Sequence, residues 1–335
     1  IIFLYKKRLL IMKGIKISAI STYHPRTIRN NEYFLNKFED KDSLNRIFEK
    51  VGRNKRHVII NDEENSLTMA INASKQLLKD YKISHDSIDI IIFSSTTLEY
   101  LSPTNALLIH SELNIKTDCI CFDINANCLG MFVALEQASV LLASKESYKR
   151  ALVIGSDHLT MLGDEKQVIP STIVGDAAAA IILEKNTDDS GIIDRMYQTD
   201  SSFCKTIVFP PHGLTNYHSK EQKIHWAPFT GLESVEFAAD ALDKLLKKNN
   251  LNIEDISCFL LSQFTKSNID ILQDKINIPS EKIEYIGDQY GYTGVSSFFI
   301  AYKKRLEKSL INKGDIIVFW SLGAGYQTGV MLWKI

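Results

Sequence analysis

Cys128 is the residue whose type and setting could do covalent chemistry. It ends the run Asp118-Cys-Ile-Cys-Phe-Asp-Ile-Asn-Ala-Asn-Cys128, in which an apolar strand breaks at Asn125 to Asn127, and it opens an apolar helix running on through Ala138. Free N–H groups and the positive dipole end at a helix start favour thiolate over thiol. The pattern therefore predicts a Cys128 pKa below the ordinary value of about 8.5. A thiolate there is a nucleophile, and the same N–H groups can hold a developing oxyanion, which suits acceptance of an acyl group from a thioester. For one such cysteine taken alone, the plainer reading is a buried thiol packed as a small hydrophobe; the rest of the chain has to decide.

The elements that must position this thiol read as alternating strands and helices. Strands are expected at Ile15–Ile20, Ile88–Ser94, Cys119–Ile124, Ala151–Gly155 and Ala178–Leu183. Helices are expected over most of Asn31–Val51, at Ser66–Tyr81, at Asn105–Leu113 and from Cys128 to Ala143. This is an α/β layout with a mainly parallel sheet. The second half repeats the first: Leu77–Ser95 lies without a gap over Leu245–Gln263, Cys128–Ala134 over Tyr292–Phe298, and Ala180–Lys185 over Gly329–Lys334. One period covers half the chain, so two like halves are expected about a pseudo-dyad, with the helix starts at Cys128 and Tyr292 brought to one central seam. Clefts at such seams are where sites form. The division is 13–185 for the N-terminal half and 186–335 for the C-terminal half, including a polar excursion over 186–230 that reads as a lid.

Composition narrows the partners. The chain has 335 residues, 45% of them hydrophobic, and a net charge of −1. It can build a large core, and it has no global field for nucleic acid or an anionic membrane. No apolar run approaches the length of about 20 residues that spans a bilayer. The five cysteines show no repeated spacing, and Cys119 and Cys121 alternate as strand residues do, so neither a metal site nor a disulfide framework is indicated, and a reducing cytoplasm fits. No cofactor motif is present. Residues 1–12 read as an extension ahead of a start at Met12.

Several stretches in order resemble the β-ketoacyl-ACP synthase III group of thiolase-fold condensing enzymes. They are Tyr100-Leu-Ser-Pro-Thr-Asn-Ala106, Asp123-Ile-Asn-Ala-Asn-Cys128-Leu-Gly130, Val174–Leu183, Tyr290-Gly-Tyr-Thr-Gly294 and Leu322-Gly-Ala-Gly325. The resemblance runs from Lys13 to Ile335. It implies a thiolase-like fold with two pseudo-repeated βαβ-type halves in a layered α-β-α-β-α arrangement. It further implies a homodimer and an acyl-cysteine formed at Cys128 from acyl-CoA or acyl carrier protein. The N–H groups of Cys128 and Ala324 would form the oxyanion hole.

Two positions depart from the family. Its catalytic histidine falls on Ser262, within Phe259-Leu-Leu-Ser-Gln-Phe-Thr265, and its asparagine on Tyr292, with the family's own separation of 30 residues between them. Serine is no base near neutral pH, and tyrosine can only donate. Decarboxylation of a malonyl thioester is therefore expected to be weak or absent. The family's Trp and Arg at the tunnel mouth fall on Ile47 and Asn54, beside a basic cluster of Arg53, Lys55 and Arg56. Arg53, Arg56, Gln263 and His212, the last in Phe209-Pro-Pro-His-Gly213, are the candidate substrate-binding residues, and His212 is the candidate replacement base. Two functions stay open: an acyltransferase of synthase III type, or a non-catalytic acyl-binding or partner subunit of an active homologue.

Overall fold

The apolar runs assemble into two sheets with a helical layer between them and one on each outer face. The computed structural model of the chain describes residues 14–163, 166–218 and 222–335; the expected extension over 1–12 lies outside the described residues. In chain order the strands are β1 (Ile15–Tyr23), β2 (Ile28–Asn30), β3 (Lys55–His57), β4 (Ile90–Ser94), β5 (Ile120–Ile124), β6 (Arg150–Asp157), β7 (Ala177–Lys185), β8 (Gly191–Thr199), β9 (Ile207–Val208), β10 (His225–Trp226), β11 (Ile256–Leu260), β12 (Ile316–Gly323) and β13 (Gln327–Lys334). The helices are α1 (Asn31–Leu35), α2 (Lys41–Val51), α3 (Ser66–Asp80), α4 (Asn105–Glu112), α5 (Gly130–Ser144), α6 (Val168–Thr172), α7 (Leu232–Lys248), α8 (Lys266–Ile276), α9 (Gly287–Tyr290) and α10 (Ser297–Glu307).

One sheet has the order β1-β7-β6-β4-β5 and the other β11-β12-β13-β8. Pairing repeats between them. In the first sheet β1–β7 and β7–β6 are antiparallel and β6–β4 parallel; in the second, β8–β13 and β13–β12 are antiparallel and β12–β11 parallel. The expected mainly parallel sheet is thus corrected to a mixed one. The parallel pairs β4–β5 and β4–β6 are joined through α4 and α5, whereas β12 returns into β13 by a tight loop, and a loop return dictates antiparallel pairing. Among the described residues the fifth strand has no full counterpart in the second half, where it shrinks to one parallel bridge between Phe259 and Ile283. The 186–230 stretch is likewise not all excursion, because β8 is an integral edge strand of the second sheet.

Burial explains the layering. Helices α5 and α10 lie between the sheets, and residues such as Phe132, Leu135, Phe298 and Phe299 form the central core with the inner faces of both. Helix α5 therefore carries apolar residues all round. The window Asn127–Ser144 that contains it, with a mean hydropathy of 1.3, is long and apolar enough to cross a membrane by length and composition, which corrects the expectation that no run approaches that length; half of it is buried inside this fold. Helices α3 and α4 cover the outer face of the first sheet, and α7 and α8 that of the second, each through one apolar stripe.

Candidate active site

Cys128 sits on the turn between β5 and α5, and the turn is held by its own residues. Asn127 adopts φ 51°, a left-handed conformation that asparagine tolerates better than most side chains. The Asn125 side chain accepts from Asn127 N at 3.0 Å, and Gly130 N donates to Asn127 O at 2.8 Å. Helix α5 begins at Gly130, two residues later than expected, so Cys128 precedes the first helical turn. Gly130 lets the helix start lie directly on β4: a Cβ there would stand 2.1 Å from Ser94 Oγ.

The C-terminal loop is tied to the same turn. Asn127 Nδ2 donates to Ala324 O at 3.0 Å, and Ser321 Oγ donates to Cys128 O at 3.0 Å. The backbone N–H groups of Cys128 and Ala324 both favour the thiolate form of Cys128, as two donors converging on the sulfur do. Tyr292 comes from the equivalent turn of the second half. Its N–H donates to Ile173 O at 2.9 Å, and its carbonyl accepts from Gly175 N at 2.9 Å. Its hydroxyl faces the side chains of Cys128 and Ser262 and favours the thiolate as well. Cys128, Tyr292, Ser262 and Ala324 are thus brought together at the seam.

The thiol is nevertheless harder to ionise than the sequence predicted. Burial, with the carboxylate of Asp157 adding to it, pushes the Cys128 thiol up to about 12. This corrects the expectation of a depressed pKa: the three donors act on the sulfur, but desolvation in an apolar chamber outweighs them. The Ser262 hydroxyl is buried beside that of Tyr292.

An apolar chamber opens on the sulfur, lined by Leu159, Leu162, Ile207 and Ile224 among others, and a second space of about 600 Å³ adjoins it. Pro170, Trp226, Phe229 and Phe264 line both spaces and form the neck. The Phe264 ring lies 6.4 Å from Trp226, 6.0 Å from Phe229 and 5.5 Å from Tyr292. Ile207 and Trp226 belong to the β9–β10 hairpin, so the second part of the 186–230 stretch roofs the chamber.

The candidate substrate-binding residues lie elsewhere. Arg53 is 1% exposed, and its guanidinium donates to the carbonyls of Ile173 at 3.1 Å, Val51 at 2.9 Å and Phe264 at 2.8 Å. Arg56 is fully buried and donates to Thr172 O and Asn31 Oδ1. Neither forms a docking surface: the Arg53 guanidinium is turned inward onto several backbone carbonyls, and that of Arg56 is buried between Thr172 O and the Asn31 side chain, against the rings of Phe34 and Phe48. Gln263 is buried, donating to Leu261 O at 2.9 Å and accepting from Ile286 N at 2.9 Å. His212 is exposed on the turn after β9 and does not line the chamber. At the mouth Ile47 is in place, Asn54 is not, and the cation there among the described residues is Lys50. Lys50 and the aromatic neck were not singled out from the sequence. Trp226, Phe229 and Phe264 carry no local motif, and only the fold makes them neighbours.

Models of known families match this architecture. The 3-oxoacyl-[acyl-carrier-protein] synthase III model matches residues 122–201 and its C-terminal counterpart residues 246–335. The chain belongs to the β-ketoacyl-ACP synthase III family. It is 28% identical to β-ketoacyl-ACP synthase III of Coxiella burnetii (strain RSA 493 / Nine Mile phase I), over 96% of this chain and 99% of that one. With the enzyme of Clostridium perfringens (strain SM101 / Type A) it shares 29%, over 97% and 100%. Among solved structures, 3-oxoacyl-ACP synthase III from Aquifex aeolicus VF5 superposes with a TM-score of 0.86 at 25% identity, covering 96% of this chain and all of that one. OleA from Xanthomonas campestris, solved with bound lauric acid and lauroyl-CoA, has a TM-score of 0.84 at 16% identity and shares the fold.

Proposed function

We propose that this family member is an acyltransferase that takes an acyl group from acyl-CoA or acyl carrier protein onto Cys128 and condenses it with malonyl-ACP weakly or not at all. The observation that carries this reading is the composition of the seam. A nucleophilic sulfur with two backbone donors faces an apolar chamber, and no histidine lines that chamber among the described residues.

Transfer itself asks little of the missing groups. Cys128 Sγ adds to the thioester carbonyl while the N–H groups of Cys128 and Ala324 hold the oxygen as it becomes an anion. The tetrahedral adduct then expels the donor thiolate, which takes up the proton that Cys128 lost. Exchange of one thioester for another therefore needs no net base. Decarboxylation is different, because the enolate left by carbon dioxide needs donors aimed at the malonyl carbonyl. At the family's two donor positions stand Ser262 and Tyr292, whose hydroxyl is directed at the sulfur.

Two measurements test this. Intact mass after incubation with short- and medium-chain acyl-CoA and acyl-ACP should show one acyl group added to the parent and none to Cys128→Ala; equal labelling of the Ala variant rejects the nucleophile. Release of labelled carbon dioxide from malonyl-ACP should fall far below that of a conventional synthase III. A rate within about tenfold of that control, against the 10² to 10⁴ that an acid–base group usually supplies, rejects the loss of condensation.

A further inference from the structure

Helix α4 and the edge strand β5 meet over one face of the strand. Residues 119, 121 and 123 are two apart and so turn to the same side. At one end the Asp123 carboxylate accepts the N–H groups of Asn105 at 2.7 Å and Ala106 at 2.8 Å, which anchors the start of α4. At the other end His110, from the last turn of α4, meets the two cysteines. The ligand atoms of His110, Cys119 and Cys121 all lie within 4.8 Å of one another, and the two sulfurs are 3.9 Å apart.

We propose that His110, Cys119 and Cys121 form a structural site for a soft divalent cation, Zn²⁺ foremost, that clips the end of α4 to β5. Two thiolates on one tetrahedral Zn²⁺, each at about 2.3 Å, stand about 3.8 Å apart, so the sulfurs are already at the spacing the ion requires. The ring of His110 is also prepared. Its Nε2 lies 3.0 Å from Lys116 O, and a carbonyl only accepts. The neutral ring therefore carries its proton on Nε2 and its lone pair on Nδ1, and an N–H to carbonyl bond of this kind is what orients ligating imidazoles. All three residues are half-buried, which shields the site while leaving it a path for the ion.

Binding displaces two protons, one from each thiol, and Zn²⁺ with two thiolates and a neutral imidazole is a neutral centre. The fourth position is open to water. Spacing alone argued against such a site because Cys-x-Cys is ordinary strand alternation; the third ligand comes from the preceding helix, across the loop 113–118. Cys128 lies beyond the opposite end of β5, so the role is to hold an element in place and not to act on substrate.

The test uses the reduced full-length protein with Co²⁺ as a spectroscopic stand-in and Zn²⁺ in competition with a chromophoric chelator. One Co²⁺ per chain should bind, with intense thiolate-to-cobalt absorption in the near ultraviolet and tetrahedral bands in the visible, and Zn²⁺ should displace it. Cys119→Ser and Cys121→Ser should each remove the charge-transfer absorption, His110→Ala should weaken affinity about tenfold or more, and Cys128→Ala should leave the spectrum intact. In the parent, Zn²⁺ should protect Cys119 and Cys121 from iodoacetamide, with peptide mass giving the position even if the variants fold poorly. No Co²⁺ uptake by the reduced parent, uptake that survives loss of both cysteines, or alkylation unchanged by Zn²⁺ would each overturn the site.

Discussion

Cys128 carries two opposed influences, three nearby donors that favour thiolate and an apolar enclosure with Asp157 that opposes it, and the enclosure prevails. With the thiol near 12, only a small fraction is ionised at neutral pH, and that fraction grows tenfold per pH unit. Alkylation of Cys128 by iodoacetamide should therefore keep rising by close to tenfold per unit from pH 7 to 10; a plateau near pH 8.5 would contradict the raised pKa. Tyr292→Phe removes a group that lowers this pKa, so it should slow alkylation at any pH in that range. Exchanging Ser262→His and Tyr292→Asn together should restore measurable release of labelled carbon dioxide from malonyl-ACP, because each exchange returns a donor to the malonyl side of the sulfur. Single exchanges should do less, since groups that act on one charge do not add. A double variant no faster than the parent would show that the chamber's shape, and not these two side chains, limits condensation.

Helix α5 has to start against β4 for Cys128 to lie under the Ala324 loop, and Gly130 is what permits it. A methyl group there would stand 2.1 Å from Ser94 Oγ but 3.4 Å from Ser94 Cβ, and that oxygen has no hydrogen-bond partner among the described residues. Gly130→Ala should therefore destabilise the fold by about 1–3 kcal/mol as an overpacked contact. Ser94→Ala should be nearly neutral by itself and should recover most of the loss in the double variant. Urea denaturation of the three variants checks this. Equal destabilisation in Gly130→Ala and in the double variant would place the strain elsewhere.

The first sheet ends on β5, whose edge has no partner strand among the described residues and is bordered by apolar residues: Ile120 is 41% exposed, and Leu101 on the neighbouring turn 71%. A flat exposed edge of this kind is an association hazard unless another chain covers it. We propose that β5 of one copy pairs with β5 of a second across a two-fold axis, which places the Glu99–Thr104 turn near the partner's chamber. Light scattering at micromolar concentration should give twice the chain mass, and Ile120→Lys with Leu101→Asp should shift it toward the monomer. A monomeric parent at that concentration rejects this assembly.

Local pattern determined a good deal of this protein. The alternation of strands and helices, the duplication of Leu77–Ser95 in Leu245–Gln263, and the motifs around Cys128 and Leu322–Gly325 place the chain in its family, because periodicity and turn residues act over a few neighbours and survive as sequence. The reading that Ser262 and Tyr292 stand at the family's histidine and asparagine positions, on which the proposed function rests, comes from the same local pattern. What depends on surroundings was not. Whether the Cys128 thiol is ionised rests on how much apolar surface encloses it, and that surface comes from Leu159, Ile224, Trp226 and Phe264, residues far apart along the chain. Arg53 and Arg56 read as a basic cluster because charge is written in the sequence. That carbonyls of Ile173, Phe264 and Thr172 converge on them is not, since a backbone acceptor looks alike in every residue. The strand directions and the approach of His110 to Cys119 and Cys121 were likewise decided only when the elements packed.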